Sequence, residues 1–380
     1  MIKHLLAPGI ALSLASELLA QTVPAGVEIR RTGSQGNDIE LRFPSLVGLN
    51  YRVFSSPDLG AQSWLDTQVG APGTGGQLLL LLPQAGTAGR RFFRIEVTSA
   101  GDAEFALIPA GNFTMGNQMS SAEGVPAELP AIQVFVGEFR ILKTEVTKDL
   151  WDATHAWAIV NGYTFAFSGS GVAGNHPVQT INWYDAIKWC NAKSEQEGLQ
   201  PCYYVNTAIY RTGTPSSVRW DPTKDGYRLP TEAEWEKAAR GGLAGRRFPW
   251  GDLINHGLAN YVANPDESYD DNPTNGPHPA YVRPTMPYTS PVGSFAPNGY
   301  SLYDMAGNVL EWCWDRPTSN YNSGYALDFT SASSSFERVL RGGSWLGQGP
   351  VARNSRRGRA FPDTGRGYDV GFRIARGRIQ

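Results

Sequence analysis

The sequence predicts a small all-β sandwich followed by a larger, mixed α/β domain rich in loops. Three observations carry this reading. Residues 27–97 are a succession of short β-type runs with no helical spacing, whereas residues 103–380 hold three well-marked helix signals within much irregular chain. Glycine (43) and proline (26) together make up about 18% of the 380 residues, which points to many turns. Eleven Trp, 16 Tyr and 16 Phe supply the large apolar anchors that a loop-heavy core requires.

Residues 1–20 read as a secretory signal. Lys3 and His4 precede an apolar stretch from Leu5 to Leu19, and the small Ala20 marks the expected cleavage point. The stretch is too short, and too interrupted by Pro8, Gly9 and Glu17, to span a bilayer core of about 30 Å. No later segment is apolar enough to be transmembrane, so the expected location is exported: periplasmic, cell-surface or secreted.

Residues 21–100 form the expected sandwich. The runs VEIRR, IELRF, YRVFSS, LLLLL and RFFRIEV are separated by Gly, Pro, Asn and Asp clusters at antiparallel spacing. This order is similar to small immunoglobulin- or fibronectin-like modules. It contains no ionisable cluster, so a spacer or adhesion role follows. Thr98–Gly101 is a polar joint, and residues 101–380 make the second domain.

Within the second domain, Thr147 caps a helix over roughly Lys148–Ala158. Asn182, with Asp185 three residues on, opens a second helix that Gly198 stops. Thr231 and Glu234 form a capping box for a third, ended by Gly241 and Gly242. Gly169–Gly174 satisfies G-x-G-x-x-G literally, but no helix follows, so it lacks the context that cradles a phosphate.

Charge and cysteine content narrow the chemistry. Thirty-three Lys+Arg against 35 Asp+Glu give a net charge of −2, without the basic surplus of a nucleic-acid binder. The five histidines show no metal-ligand spacing. Of three cysteines, Cys190 and Cys202 are the natural pair for a disulfide across a short helix-to-loop return; the alternative is three buried reduced thiols.

The motifs IPAGNFTMG from Ile108, TEVTKDLWDA from Thr144, HPVQTINWYDAIKWCN from His176 and YRLPTEAEWEKAARGG from Tyr227 carry a resemblance. FPWGD from Phe248, SPVGSFAPNGYSLYDMAGNVLEWCWD from Ser290, RVLRGGSW from Arg338 and GFRIAR from Gly371 complete it. In this order the chain resembles the formylglycine-generating-enzyme, or sulfatase-modifying-factor, family over about 104–376. The resemblance implies a single α/β domain related to C-type lectins.

The resemblance also implies a chemistry to test. Family oxidases convert a sulfatase cysteine to formylglycine with oxygen and Cu(I), held by two cysteines five apart after the RGGS turn. Cu(I) prefers soft thiolates. The matching positions here are Gly347 and Ala352, which can ligate nothing, so copper is not expected. Ser344 matches a serine of the family's active-site groove and is the one catalytic candidate; the alternative is a structural serine in a glycine turn.

Asp304–Glu311 matches a family calcium loop. The Asp304 and Glu311 carboxylates and the Gly307 and Val309 carbonyls would be ligands, an oxygen set that suits Ca²⁺. The alternative is that the two acids cap turns or pair with arginines. A second family site would begin at Asn260 and the Tyr261 carbonyl, with Asp270 and Asp271 as candidates for its later acid.

Ten arginines lie between Arg338 and Arg378. Arg353, Arg356 and Arg357, beside Ser344 and Trp345, would form an anion-binding groove; the alternative is that they fix loops. The expected function is a calcium-stabilised domain that binds a protein, peptide or glycan and does not oxidise. Its rivals are an oxygen-dependent oxidase with a non-standard metal site and a structural surface component.

Overall fold

The computed structural model describes residues 10–12, 27–32, 38–45, 49–57, 65–72, 76–83, 91–99, 104–120, 123–321 and 335–377. Apart from Ile10–Leu12, the expected signal segment lies outside the described residues. The chain divides into two compact units, Met1–Glu104 and Phe105–Gln380.

In the first unit β1 (Ile10–Leu12), β7 (Arg91–Ser99), β4 (Leu49–Ser56) and β5 (Leu65–Pro72) form one sheet in that order. A second sheet runs β2 (Glu28–Thr32), β3 (Asp38–Pro44), β6 (Gln77–Leu82). Along β3 and β6 every second residue is buried, the period-2 signature of a half-solvated strand. Leu41 and Leu80 sit opposite one another, and Tyr51, Val53, Phe93 and Ile95 join them in one core from both sheets. The unit is thus a two-layer all-β sandwich.

The second unit is mixed and loop-rich. Its first sheet runs β15 (Tyr227–Arg228), β22 (Ala375–Arg376), β11 (Phe139–Leu142), β8 (Phe105–Ile108), all antiparallel. The second runs β20 (Gly358–Ala360), β19 (Arg338–Arg341), β18 (Leu310–Trp312), β21 (Val370–Gly371), and only β18 and β21 are parallel. Smaller pieces are the hairpin of β9 (Gly111–Met115) and β10 (Ile132–Val136), the trio β12 (Tyr203–Val205), β13 (Ala208–Ile209), β14 (Arg219–Trp220), and the pair β16 (Val262–Ala263), β17 (Gly276–Pro277).

All three helices start where the sequence places caps. Helix α1 (Lys148–Val160) is capped by the Thr147 hydroxyl, and α2 (Trp183–Gln196) by the Asn182 side-chain Oδ1, which accepts from the Asp185 N–H at 2.8 Å. At α3 (Glu232–Ala239) both halves of the Thr231–Glu234 capping box are made. Trp151, Trp183, Trp189, Trp312 and Trp314 are buried in one core with Phe372 and Tyr203, so the aromatic residues do anchor the loops. The glycine-rich stretch 169–174 packs against the start of α1: a Cβ at Gly174 would collide with the Asp149 carboxylate.

Candidate functional site

The site is built on the turn after β19. Gly342 and Gly343 adopt positive φ (+90° and +71°), folding the chain back so that Ser344 and Trp345 point inward. The Ser344 hydroxyl donates to Asp369 Oδ2 at 2.7 Å and accepts from the Leu346 N–H. Among the described residues no imidazole is hydrogen-bonded to it, so no histidine base is set to take its proton. Trp345 is buried; its indole N–H donates to the Tyr368 carbonyl and its ring lies 5.1 Å from that of Tyr288. Leu346 (56% exposed) and Tyr368 (64%) form the outer rim of this turn.

At the first of the two positions that match the copper cysteines a neighbouring side chain crowds the space, and the second is buried. A Cβ on Gly347 would collide with Val351 Cγ2, so a valine methyl stands where a thiolate would start. Ala352 is buried among Phe248, Ile254, Tyr261 and Ala306. No other sulfur substitutes. Cys190, Cys202 and Cys313 are buried, and burial pushes the Cys202 thiol up to about 12 and the other two well above the usual thiol range.

The expected Cys190–Cys202 bridge is not made. Both are free thiols, packed in the aromatic core beside α2, where each fills space as a small hydrophobe.

The arginine groove is also corrected. Arg353 is buried and forks onto Glu128 through Nη1 and Nη2 at 2.8 and 2.9 Å. Arg357 is buried and takes Glu232 through Nε and Nη2 at 2.6 and 2.8 Å, with its Nη1 on the carbonyls of Ala127 and Thr318. Arg356 approaches Glu128 at 3.6 Å. Neighbouring Arg341 pairs with Glu236 and bonds the carbonyls of Asn354 and Arg356. Irregular backbone leaves many carbonyls without ladder partners, and these guanidiniums satisfy them from inside. Arg353, Arg357 and Arg341 are internal struts rather than a surface for anions, whereas Arg356 is partly exposed.

The two calcium segments lie against one another. The Asn308 N–H donates to the Asn260 carbonyl at 2.8 Å, and a Cβ on Gly307 would collide with that same oxygen. Only glycine fits there. Asp304, at φ +55°, accepts from the Gly293 N–H through Oδ2 at 2.6 Å, while its Oδ1 is buried without a partner. Burial first, partly offset by the Gly293 bond and Arg373, pushes its carboxyl up to about 6.

Glu311 departs from expectation. Arg373 grips both its oxygens at 2.6 and 2.7 Å, and the Trp235 indole N–H donates to Oε2 at 2.7 Å. It is a counter-ion to Arg373 rather than a free ligand. Asp270 is likewise spent on the Tyr261 hydroxyl, Asn272 and the Asn264 N–H.

Sequence reasoning missed Glu145 of the TEVT motif. It is fully buried, its Oε1 has no partner, and burial, then Asp304 and Glu311, push its carboxyl well up. Ser290 Oγ and Asn260 Oδ1 are also buried and unpartnered. The only sequence signal was an acid between two β-branched residues, Thr144 and Val146.

These unpaired oxygens fit a hard cation. Among the described residues no three His, Cys, Asp or Glu side chains are grouped to hold a metal ion, so a cation here would rest on no more than two carboxylates, with neutral oxygens beside them.

Comparison with known proteins agrees with the motifs. The family described as "Sulfatase-modifying factor enzyme 1-like domain" matches residues 96–378. The chain is similar to a chaperone protein LppX of Paenibacillus barcinonensis, 30% identical over 289 residues, which cover 72% of this chain and 94% of that one. It is similar to a formylglycine-generating enzyme of Streptomyces coelicolor, 33% identical over 295 residues, 70% of this chain and 87% of that one. Among solved structures, Treponema denticola variable protein 1 superposes with a TM-score of 0.55 at 30% identity, covering 72% of this chain and 94% of that one. With the fold, the motif order and these likenesses in agreement, the chain belongs to the sulfatase-modifying-factor, or formylglycine-generating-enzyme, family.

Proposed function

We propose that this chain is an exported, non-oxidising member of its family, and that its second unit binds a protein, peptide or glycan partner. One observation carries the reading: Gly347 and Ala352 offer no sulfur, and the Val351 methyl occupies the start of the path that a cysteine side chain at the first of these positions would take. The three cysteines are buried in the apolar cores, where each packs as a small hydrophobe. The signal-like character of residues 1–20 supports export. Relatives named as a chaperone and as a variable protein support a binding role. Among the described residues no helix is long and apolar enough to cross a membrane.

Purified protein, loaded with Cu(I) and given a cysteine peptide and oxygen, is expected to give no formylglycine by mass spectrometry. Aldehyde product above the copper-only control would return the chain to the oxidases.

Calcium, in this reading, braces the turn. Asp304 and the Gly307 and Val309 carbonyls would hold it, without Glu311. At free Ca²⁺ 100-fold over Kd, linkage contributes about 2.7 kcal/mol, so EDTA is expected to lower the melting temperature by several degrees. Asp304→Ala should remove that difference. Identical melts in EDTA and calcium would reject the bound ion.

A further inference from the structure

Most buried arginines of the second unit are matched to a glutamate. Arg357 and Arg373, and the partly buried Arg247, each present the Nε/Nη2 edge to one carboxylate, at 2.6–2.8 Å. This planar, two-toothed contact is the geometry that guanidinium and carboxylate share. Arg338, the first residue of β19, breaks the pattern. It is only 8% exposed, yet no carboxylate lies within ion-pair range of it among the described residues. Its Nη1 donates to the Trp314 carbonyl at 2.5 Å, and it makes no other hydrogen bond to the described residues.

The guanidinium rests on aromatic faces, 3.8 Å from the ring centre of Trp183 and 5.0 Å from that of Trp314. These contacts occupy its flat side and leave the Nε/Nη2 edge. That edge reaches the surface: the Nε atoms of Arg228 and Arg341 are fully buried without a hydrogen bond, whereas no nitrogen of Arg338 is. Arg316 is the like charge that acts on it, and Tyr184, which follows Trp183, has a hydroxyl with no hydrogen bond to the described residues. The carboxylate of Asp315 accepts from the Glu232 N–H and acts on Arg338 only through space, and the charge of Asp363 acts on the Tyr184 phenol. Burial and Arg316 together lower the Arg338 pKa to about 10, so the surroundings favour an added negative charge.

We propose that the Nε/Nη2 edge of Arg338 is a receptor for a carboxylate group carried by a ligand, with the Tyr184 hydroxyl and the Arg316 guanidinium at its rim. The ligand completes the pairing that a glutamate supplies to Arg247, Arg357 and Arg373. The site lies at the opposite end of β19 from the Gly342–Ala352 turn, and it stands whether or not the domain oxidises cysteine. Sugar acids and acidic side chains present the same group.

The test is calorimetric titration of the full chain with sodium glucuronate and with N-acetylglutamate, against sodium sulfate and chloride at equal ionic strength. Saturable binding of at least one carboxylate is expected, about tenfold weaker in both Arg338→Gln and Arg338→Lys, because an ammonium lacks the fork. Tyr184→Phe loses only a hydroxyl with no hydrogen bond, so it should fold as the parent does and bind about threefold more weakly. Glucuronate binding alone identifies a sugar acid as the source, and N-acetylglutamate binding alone an acidic side chain. No saturable carboxylate binding by the parent protein, sulfate bound equally well, or unchanged affinity in Arg338→Lys and Tyr184→Phe would overturn the proposal.

Discussion

Arg373→Met is expected to cost about 3–5 kcal/mol of folding free energy, the range for removing one partner of a buried ion pair. Arg373 and Glu311 are both fully buried and joined by two hydrogen bonds. Arg373 also bonds the carbonyls of Leu142, Lys143 and Tyr303, tying the second sheet to the strand of the first that carries Leu142. Without it Glu311 stands uncompensated beside Glu145 and Asp304, three acids within electrostatic reach of one another. The double variant Arg373→Met/Glu311→Met should recover a large part of the loss, since an apolar pair leaves no buried charge. Urea titration reads both. A loss under about 1 kcal/mol for the single variant would show that water reaches this pair.

Asp315→Asn is expected to stabilise the protein above pH 7 and leave it unchanged near pH 4. Asp315 accepts from the Glu232 N–H at 2.7 Å at the start of α3. Burial first, then the charges of Glu232 and Glu234, push its carboxyl up to about 7, against the pull of the N–H bond and Arg357. The folded state therefore holds a proton between about pH 4 and 7 that the unfolded chain has released. Stability falls as pH rises through that window, and the full penalty applies above it. A window roughly three pH units wide, at about 1.4 kcal/mol for each, puts the penalty on the order of 4 kcal/mol. Asparagine keeps an acceptor for the Glu232 N–H and never ionises, so the pH slope across this window should flatten. Parallel stability profiles for the two proteins from acid to neutral pH would rule this out.

Local chemistry was legible in the sequence. Thr147, Asn182 and Thr231 start their helices because a side-chain oxygen three residues before a free N–H satisfies it without help from the rest of the fold. The alternation of β3 and β6 is equally local, since one face meets the core and the other water. The absence of sulfur at Gly347 and Ala352 needed no structure either.

Long-range pairing was not legible. Arg353 finds Glu128, Arg357 finds Glu232 and Arg373 finds Glu311, at separations of 225, 125 and 62 residues. Spacing carries no trace of such partners, so a crowded basic tail read equally well as an anion groove or as a set of struts. Glu145 stayed hidden for the same reason.

By itself, then, the sequence determined the strands of the first unit, the capped helices and the family, because each rests on residue type or near-neighbour spacing. The tertiary structure alone decided which charges are spent and which remain. Glu311 is consumed by Arg373, whereas Arg338 meets no carboxylate among the described residues. Whether a buried charge is matched depends on what the fold brings within a few ångströms, and that is a property of the packed chain.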